Sequence, residues 1–534
     1  RRLRSSSTVP AAGALRALSR GLAPASFGKD PQVNRRIEVA RRFHDQTSHT
    51  WWSVHSNPHW LDFDNMPRPF KLYRDDLESL PLPLPREAAA GPALSALAAP
   101  PSGPRRPTLE DLARILHYSA GIMKVRRFPG LNLAFRAAAC TGALYHVDLY
   151  PVTRDLEGLP AGVYHYGPQD SRLRLLRPGC HLDVLAAATA AEPAVARASA
   201  VVALACTYWR NAWKYQARTY RHFGWDTGTI LANMLALAAG LGISARLVMG
   251  FVDEEVNRLL GLDPLREVAF CLVALGREEQ ALEPRRRPLE ALDLPLVPYS
   301  AEEVDYPLMR EMHAASSLAE ATEVADWRRA TLEPVALPPA AQVRPLRLPA
   351  RWPADPIEQV IRRRGSARRF RRQPLGEEQL GLILERACRP VPADFPGPLN
   401  ELWLIVNAVE GLEPGSYRLR PEGLELLRQG AFRGQAGHLA LDQELAADAS
   451  VCLFFLADLE RVLRSLGNRG YRCLHTEAGL VGGRMYLAAY ALGLGATGLT
   501  FYDLEVVEFF SPQAAGRSAV FLMALGIPAP PGRR

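Results

Sequence analysis

An arginine-rich run near residue 365 has the residue types that bind phosphate. Residues 362–370 read Arg-Arg-Arg-Gly-Ser-Ala-Arg-Arg-Phe and precede an apolar, helix-like segment. Guanidinium groups bind phosphate through charge-assisted and often bidentate hydrogen bonds, and a serine hydroxyl adds a donor. We therefore interpret Arg364, Ser366 and Arg368 as a phosphate-binding segment. The alternative interpretation is a solvated basic helix start, which is what a bare arginine-rich run usually forms.

A second segment places an arginine ahead of small residues and an apolar strand. Arg136 is followed by Cys-Thr-Gly-Ala-Leu-Tyr-His at residues 140–146. Because glycine has no side chain, Gly142 and Ala143 would let the backbone approach a flat ring closely. The alternative is the plain beginning of a buried strand.

Lys214 and Tyr215 form an adjacent pair in a stretch that also contains Arg210 and Arg218. Both side chains hold a proton near neutral pH, because the pKa of free lysine is about 10.4 and that of tyrosine about 10. Such groups can transfer protons when they are positioned beside a reacting molecule. A surface helix with a basic face would have the same composition, so that alternative stays open.

A glycine-rich segment follows the long apolar stretch near the C-terminus. Residues 493–498 read Gly-Leu-Gly-Ala-Thr-Gly, and Thr497 and Gly498 end it. We predict a turn here. Gly-x-Gly alone is a weak signal, because a glycine that ends a helix is its default explanation.

These segments belong to two copies of one sequence pattern. Asp-Thr-Gly at residues 226–228 precedes Glu-Ala-Gly at residues 477–479 by 251 residues. Phe251 precedes Phe501 by 250 residues, each at the start of a Phe-x-Asp-x-Glu-Val pattern. Because the spacing is nearly constant over ordered matches, the sequence indicates duplicated domains.

Each copy has the same predicted layout. A helix, a strand, a Gly-Leu-x-x-Gly-x-Tyr hairpin, an apolar strand, a long buried helix and a last apolar strand follow one another. In the two copies the helices are expected at 109–120 and 377–387, the strands at 143–152 and 401–406, the apolar strands at 200–206 and 451–456, the long helices at 226–242 and 477–495, and the last strands at 268–275 and 519–525.

The motifs together resemble those of a known enzyme family. The segment at 362–370 resembles the opening motif of the nitroreductase family. Arg136 with residues 140–146, and the Lys214–Tyr215 pair, resemble its azoline dehydrogenase (SagB/ThcOx-type) branch, although Cys140 and His146 stand where that branch usually has Ser and Pro. The resemblance implies an α+β protein with two tandem FMN-dependent, nitroreductase-like α/β sandwich domains that form an intramolecular pseudo-dimer.

The resemblance also implies roles for individual residues. Lys214 and Tyr215 would be catalytic, and the turn at 493–498 would present backbone N–H groups to the flavin. The second copy has Ser465 and Leu466 at the positions of the pair, and the first copy lacks the arginine-rich opener, so we expect one working site between the copies. The residues expected to hold FMN are Arg364, Ser366, Arg368, Arg136, Gly142, Ala143, Thr497 and Gly498.

The domain organisation follows from the two copies and the proline-rich stretches between them. We expect a disordered or targeting arm at 1–30, an N-terminal lead-in and linker at 31–106, domain 1 at 107–276, a linker with a short helix at 277–355, and domain 2 at 356–534. The chain should be cytoplasmic, or reside in an organelle if residues 1–30 are a transit peptide.

Composition restricts the other function classes. The net charge of +8 comes from dispersed arginines without interleaved aromatics, so a basic surface is favoured over nucleic-acid binding. The seven cysteines form no CxxC pair, which indicates reduced thiols and no metal site. The uncharged runs at 227–245 and 485–502 contain several glycines, and each is interpreted as a buried helix followed by a turn, so no membrane association is expected.

The combined prediction is an FMN-dependent oxidoreductase that transfers hydride between flavin and a small-molecule or peptide-derived substrate. No Gly-x-Gly-x-x-Gly motif opens a strand–helix unit, so the sequence predicts no dedicated dinucleotide-binding domain. If NAD(P)H is the electron donor, it should therefore bind transiently over the flavin. Further oligomerisation stays open. The alternatives are a catalytically degenerate flavin- or ligand-binding protein and, least favoured, a basic nucleic-acid-binding scaffold.

Overall fold

A computed structural model describes residues 32–530 except 57, 129–130, 335–338 and 341. The arm predicted at 1–30 lies outside the described residues. The first half contains, in order, α1 (Glu38–Gln46), α2 (Trp51–Ser56), β1 (Ser79–Pro81), α3 (Ala93–Ala98), α4 (Leu109–Ala120), β2 (Ile122–Phe128), β3 (Leu131–Arg136), β4 (Val147–Thr153), β5 (Gly162–Gly167), β6 (Arg172–Pro178), α5 (Leu182–Ala188), α6 (Pro193–Ala196), β7 (Ala200–Thr207), α7 (Tyr208–Tyr215), α8 (Thr219–Gly240), β8 (Ala245–Val248), α9 (Asp253–Leu260) and β9 (Glu267–Leu275).

The second half largely repeats this order, without a counterpart of the β2–β3 strand pair. Its elements are α10 (Pro307–Ala315), α11 (Ala321–Arg328), β10 (Val343–Arg344), α12 (Ile357–Arg363), β11 (Phe370–Arg371), α13 (Glu377–Ala387), β12 (Glu401–Val406), β13 (Gly415–Arg420), β14 (Gly423–Gln429), α14 (Arg433–Leu439), α15 (Glu444–Asp448), β15 (Val451–Ala457), α16 (Leu459–Leu466), α17 (Arg469–Ala491), β16 (Gly495–Gly498), α18 (Asp503–Phe510) and β17 (Ser518–Pro528).

The two sheets have matching antiparallel topologies. The first has the strand order β1-β6-β5-β4-β7-β9-β8. The second has the order β10-β14-β13-β12-β15-β17-β11, with β16 also paired to β17. Central strands β7 and β15 are buried along their whole length, as strands covered on both faces must be. The prediction of an α+β fold built from two repeated domains is confirmed.

The long helices α8 and α17 pack against each other between the sheets, and repeated glycines allow the close approach. A Cβ atom on Gly228 would lie 2.4 Å from the backbone nitrogen of Leu480. A Cβ on Gly479 would lie 2.3 Å from the carbonyl oxygen of Trp225. The Asp-Thr-Gly and Glu-Ala-Gly repeats therefore mark the helix crossing, where only glycine lets the two backbones touch.

Buried ion pairs connect the two halves reciprocally. Arg221 of α8 donates to Asp503 of the second half at 2.6 Å. Arg472 of α17 donates to Asp253 of the first half at 2.8 Å. All four residues are buried, and each pair repeats the other at the spacing of the duplication. Phe43 lies between the halves, with its ring centroid 5.6 Å from Tyr220 and 5.7 Å from the equivalent ring of Tyr471.

The duplication extends further than the sequence indicated. After α1, the N–H of His49 donates to Asp503 at 2.8 Å, and after α10 the N–H of Leu318 donates to Asp253 at 3.0 Å. The hydroxyls of Thr47 and Ser316 accept from Arg221 and Arg472 in the same way. Helix α10, expected to be a short helix in a linker, is thus the second copy of α1.

Some connections and element boundaries differ from the expectations in detail. The stretch expected to be a linker at 31–106 contains α3, which buries Leu94 and Leu97 beside α8 and α17. The expected strand at 143–152 begins only at Val147, because residues 141–143 form a tight turn in which φ is 65° at Gly142. The predicted turn at 493–498 is wrong for its second part, because residues 495–498 form β16.

Candidate functional site

A cavity of about 880 Å³ opens between the two halves. This volume lies within the usual range for small-molecule and cofactor sites. Both halves contribute to its lining. All ten residues singled out from the sequence line it: Arg136, Gly142, Ala143, Lys214, Tyr215, Arg364, Ser366, Arg368, Thr497 and Gly498. The structure thus brings the four separate motifs to one place, while their assignment to FMN stays a prediction.

The arginine-rich opener at 362–370 begins in the last turn of α12, and Arg364 contacts the first half. Arg364 donates from Nε to the carbonyl oxygen of Ala137 at 3.0 Å and from Nη2 to that of Arg136 at 3.2 Å. Its guanidinium also lies 5.6 Å from the ring centroid of Tyr486. Arg368 is exposed at the cavity, and no carboxylate of a described residue pairs with it. These contacts fix Arg364 in place and leave Arg368 available to an anion.

A tyrosine that the sequence did not reveal joins two of the motifs. Tyr486 of α17 lies with its hydroxyl 3.1 Å from that of Ser366. The N–H of Gly498 donates to the same hydroxyl at 2.8 Å. This N–H was expected to face the flavin, and in the structure it faces Tyr486 instead. Tyr486 was missed because nothing in a long apolar helix indicates which of its tyrosines faces a cavity.

The turn at 141–143 is held by Asp226 of α8. The carboxylate accepts from the backbone N–H and from the hydroxyl of Thr141, each at 2.9 Å, and from the thiol of Cys140 at 3.1 Å. Burial raises the pKa of Asp226 to about 7, although these hydrogen bonds oppose the shift. The sequence showed Asp226 only as part of the repeat, and its role in fixing the turn follows from the tertiary contact.

The Lys214–Tyr215 pair ends α7 and faces the turn at 141–143. A Cβ on Gly142 would lie 3.0 Å from the Tyr215 hydroxyl, and Gly142 has φ of 65°, so glycine is required on both grounds. The Lys214 ammonium lies 5.3 Å from the Tyr215 ring centroid. Burial raises the pKa of Tyr215, whereas burial and the charge of Arg368 lower the pKa of Lys214.

The alternative interpretation of this segment, a surface helix with a basic face, is wrong. Arg210 is fully buried and forms an ion pair with Asp148, and Arg218 is buried against Asp503. The basic residues of this stretch are therefore structural ion-pair partners, and Lys214 is the cation that remains at the cavity.

Cys140, His146 and Asp226 lie close enough together to be considered as metal ligands, since their candidate atoms lie within 4.8 Å of one another. Both carboxylate oxygens of Asp226 already accept hydrogen bonds from Thr141, and the thiol donates to the carboxylate. Burial raises the pKa of Cys140, which opposes formation of the thiolate that metals bind. We interpret the group as support for the turn.

At the position related to the cavity by the duplication, Asp394 and Trp327 lie against the backbone. Residues 249–250 stand 250 positions before 499–500, and their two N–H groups donate to the carboxylate of Asp394 at 2.7 and 2.8 Å. The indole of Trp327 packs against Gly250, so that a Cβ there would lie 3.0 Å from the ring. Trp327 also donates to the carbonyl of Leu466, the counterpart of Tyr215.

Comparisons with known proteins agree with this geometry. The nitroreductase family model matches residues 104–277 and 361–527. A protein of Methanocaldococcus jannaschii, MJ1384, provisionally named a nitroreductase, is 36% identical over 165 residues, which is 28% of this chain and 82% of that protein. The trifolitoxin-processing protein TfxB of Rhizobium leguminosarum bv. trifolii is 26% identical over 191 residues, 33% of this chain, and the match spans 49% of its length.

A solved structure extends the similarity to both halves together. A crystal structure of a provisionally named nitroreductase from Anabaena variabilis superposes with a TM-score of 0.72 at 25% identity, covering 92% of this chain and 99% of that one. The chain belongs to the nitroreductase family, and it is a two-domain oxidoreductase of that family. The predicted resemblance to the SagB/ThcOx-type members is confirmed, and family membership supports a flavin cofactor.

No helix in the described part of the chain is both long and apolar enough to span a membrane. The two uncharged runs noted in the sequence belong largely to α8 and to α17 with β16, and most of their residues are buried.

Proposed function

We propose that the cavity binds one FMN per chain and that the protein transfers hydride between this flavin and a small-molecule or peptide-derived substrate. The observation that carries the proposal is that one cavity unites the opener of the second half with the Gly142 turn and the Lys214–Tyr215 pair of the first. Neither half has both sets of residues.

The donors at the cavity fit the groups of FMN. Its phosphate carries close to two negative charges, and Arg368 is a cation without an acidic partner among the described residues. Ser366 adds a hydroxyl beside it. The Nε of Arg136 is buried with no hydrogen-bond partner in the described part of the chain, so it can donate to a bound polar group. The tight turn at Gly142 packs against Tyr215, and both residues line the cavity.

In this arrangement, Arg364, Ser366 and Arg368 bind the phosphate and orient the cofactor. The cofactor, when bound, would supply the hydride chemistry. Lys214 holds a proton at Nζ and Tyr215 holds one at its hydroxyl, and either can donate it to a substrate atom that gains electron density. Asp226 keeps the turn in place below them. The halves enclose the site within one chain, so we infer that a single chain is an active pseudo-dimer.

The substrate class is supported by the relatives. Similarity to a trifolitoxin-processing protein supports a peptide-derived substrate, and similarity to a nitroreductase-like protein supports a small acceptor. NAD(P)H is the proposed transient electron donor.

The test is the flavin content of the purified chain. We expect a yellow protein with one FMN per chain, because Asp394 and Trp327 fill the duplicated position. The variant Arg364→Ala/Arg368→Ala should remain folded and bind FMN about tenfold or more weakly, since it loses charge-assisted contacts.

The matched control is Arg369→Ala, because Arg369 is an exposed neighbour that does not line the cavity. Its flavin content should equal that of the wild type, and the thermal midpoints of both variants should show that they fold. Two flavins per chain, or full flavin in the double variant, would contradict the proposed site.

A further inference from the structure

The strand pair β2–β3 belongs to the first half alone. Residues 121–146 separate α4 from β4, whereas the shorter stretch 388–400 separates their counterparts α13 and β12. The extra length forms a two-stranded antiparallel hairpin that joins neither main sheet. An inserted element beside one cavity, absent from the duplicated position, is a candidate for recognising the molecule that enters that cavity.

One face of this hairpin lines the cavity. Lys124 and Arg126 are two residues apart on β2 and both line it, together with Phe135, which pairs directly with Lys124. Successive side chains of a strand point to opposite faces, so Arg127 lies on the other face and is not part of the lining. The Arg126 guanidinium lies 5.6 Å from the Phe135 ring centroid. The hairpin thus offers two cations and an aromatic ring on one side.

These cations have no acidic partner in the described ranges. Neither Lys124 nor Arg126 forms an ion pair there, and Asp226 is the one carboxylate among the residues that line the cavity. Asp226 lies at the turn and is already occupied by Thr141 and Cys140. The phosphate assigned to Arg364 and Arg368 would balance the cations at the opener and not those on the hairpin. The cavity therefore keeps an excess of positive charge on the hairpin side, which attracts anions.

We propose that Lys124 and Arg126 bind an anionic group, a carboxylate or a phosphate, of the molecule that exchanges hydride with the flavin. The protein then selects anionic substrates over neutral molecules of the same shape, and the Phe135 ring contacts the apolar part beside the anionic group. This inference rests on the proposed function, since it concerns the second occupant of the same cavity.

The test compares pairs of molecules that differ in charge. Isothermal titration calorimetry of the full chain with benzoate and with benzamide measures the carboxylate preference directly, without requiring turnover. The oxidised nucleotides NADP⁺ and NAD⁺ form a second pair, which differs by one phosphate and cannot reduce the flavin. We expect the wild type to bind the more anionic member of at least one pair about fivefold or more tightly. Raising the salt concentration should reduce that preference.

The variant Lys124→Ala/Arg126→Ala should lose this preference, and the control Arg127→Ala should keep it. If the double variant loses the preference only for benzoate over benzamide, the group bound is a carboxylate. If it loses the preference only within the nucleotide pair, the group bound is the phosphate. The inference is overturned if the wild type shows no preference in either pair, or if the double variant keeps it. The flavin content is measured on the same samples, so a wild type without flavin would count against the proposed function and not against the anion preference.

Discussion

Lys214 and Tyr215 occupy an environment that the equivalent residues of the second half do not reproduce. Tyr215 touches the turn at Gly142, and Lys214 is exposed at the cavity, where the charge of Arg368 acts on it. Their counterparts are Ser465, which is bonded to the carbonyl of Thr331, and Leu466, whose carbonyl accepts from Trp327. A pair of proton-holding groups therefore exists at one end of the α8–α17 crossing, and the other end has only structural contacts.

We expect Lys214→Ala and Tyr215→Phe to lower turnover by about 10²-fold or more, because positioned acid–base groups contribute about 10²–10⁴ in rate. Flavin content should stay near the wild-type value. Steady-state kinetics with a reducible acceptor gives the rate, and the visible absorbance gives the content. Tyr306→Phe is the control, since Tyr306 is a half-buried tyrosine outside the cavity. Unchanged turnover in both variants would show that the pair is not catalytic.

The rate should also depend on pH in a way that identifies Lys214. Burial and Arg368 lower its pKa below the ordinary 10.5, so it loses its proton at a lower pH than a free lysine. If Lys214 donates a proton, the rate falls as the pH rises through this lowered pKa. This alkaline limb should lie below pH 10.5 in the wild type and be absent from the residual activity of Lys214→Ala.

At the scale of residues, the sequence predicted those positions that carry their own chemical signal. Arginines beside a serine, a Lys–Tyr pair and a Gly-Ala step can be recognised without a structure, and all of them line the cavity. Asp226, Tyr486, Lys124 and Arg126 could not be recognised. Their contribution depends on which way a helix or hairpin faces, and periodicity alone does not determine that for a fully buried helix.

The crossing of α8 and α17 is the element-scale feature on which the cavity depends, because Asp226 and Tyr486 both project from these helices. The crossing requires glycine at positions where the two backbones touch. A methyl group on Gly228 would meet the backbone of residues 476–480, which cannot move aside without shifting α17.

Gly228→Ala should therefore destabilise the fold by about 1–3 kcal/mol, the usual cost of overpacking a close contact. Gly434→Ala is the matched control, because Gly434 also lies in a helix and a Cβ there would meet nothing within 4 Å. It should be neutral or stabilising by up to about 1 kcal/mol. Chemical denaturation gives the free energy of unfolding of both variants. Equal free energies would contradict the proposed role of Gly228.

At the scale of elements, the sequence predicted whether a segment is a helix or a strand better than it predicted where that segment begins and ends. Helices α4 and α13 and strand β12 begin and end as expected. The long helices begin earlier, at Thr219 and Arg469, and the arginines of their first turns are buried with Asp503 and Asp253. The second copy of α1 was missed because the segments 43–49 and 312–318 share little beyond one histidine and small polar residues.

The reciprocal ion pairs make each half incomplete by itself. Burial alone would raise the pKa of Asp503, but Arg218 and Arg221 hold it at about 2. A carboxyl group with a lowered pKa stabilises the fold fully at pH values above its ordinary pKa of 3.8. That contribution is lost as the pH falls toward the lowered pKa of about 2. The same pairs cannot form when the halves are separated, because the arginines and their aspartates belong to different halves.

We expect residues 32–305 and 306–530, expressed separately, to be insoluble or unfolded and without flavin. Each would expose an apolar long helix and lose partners for buried charges, and breaking one buried ion pair costs about 3–5 kcal/mol. Co-expression should restore a soluble, flavin-containing complex. Flavin content and size-exclusion chromatography measure this outcome. A single half that is folded and yellow on its own would show that the halves are independent.

The inserted hairpin β2–β3 has a consequence for how such a protein can change. In an assembly of two identical subunits, a mutation that adds a loop adds it at both sites. One site cannot change without the same change at the other. Here the two copies are encoded separately, so the hairpin could arise beside one cavity while Asp394 and Trp327 closed the other position. Selection can therefore alter what the working cavity recognises without altering the half that supports it, and related chains should differ most in residues 121–136.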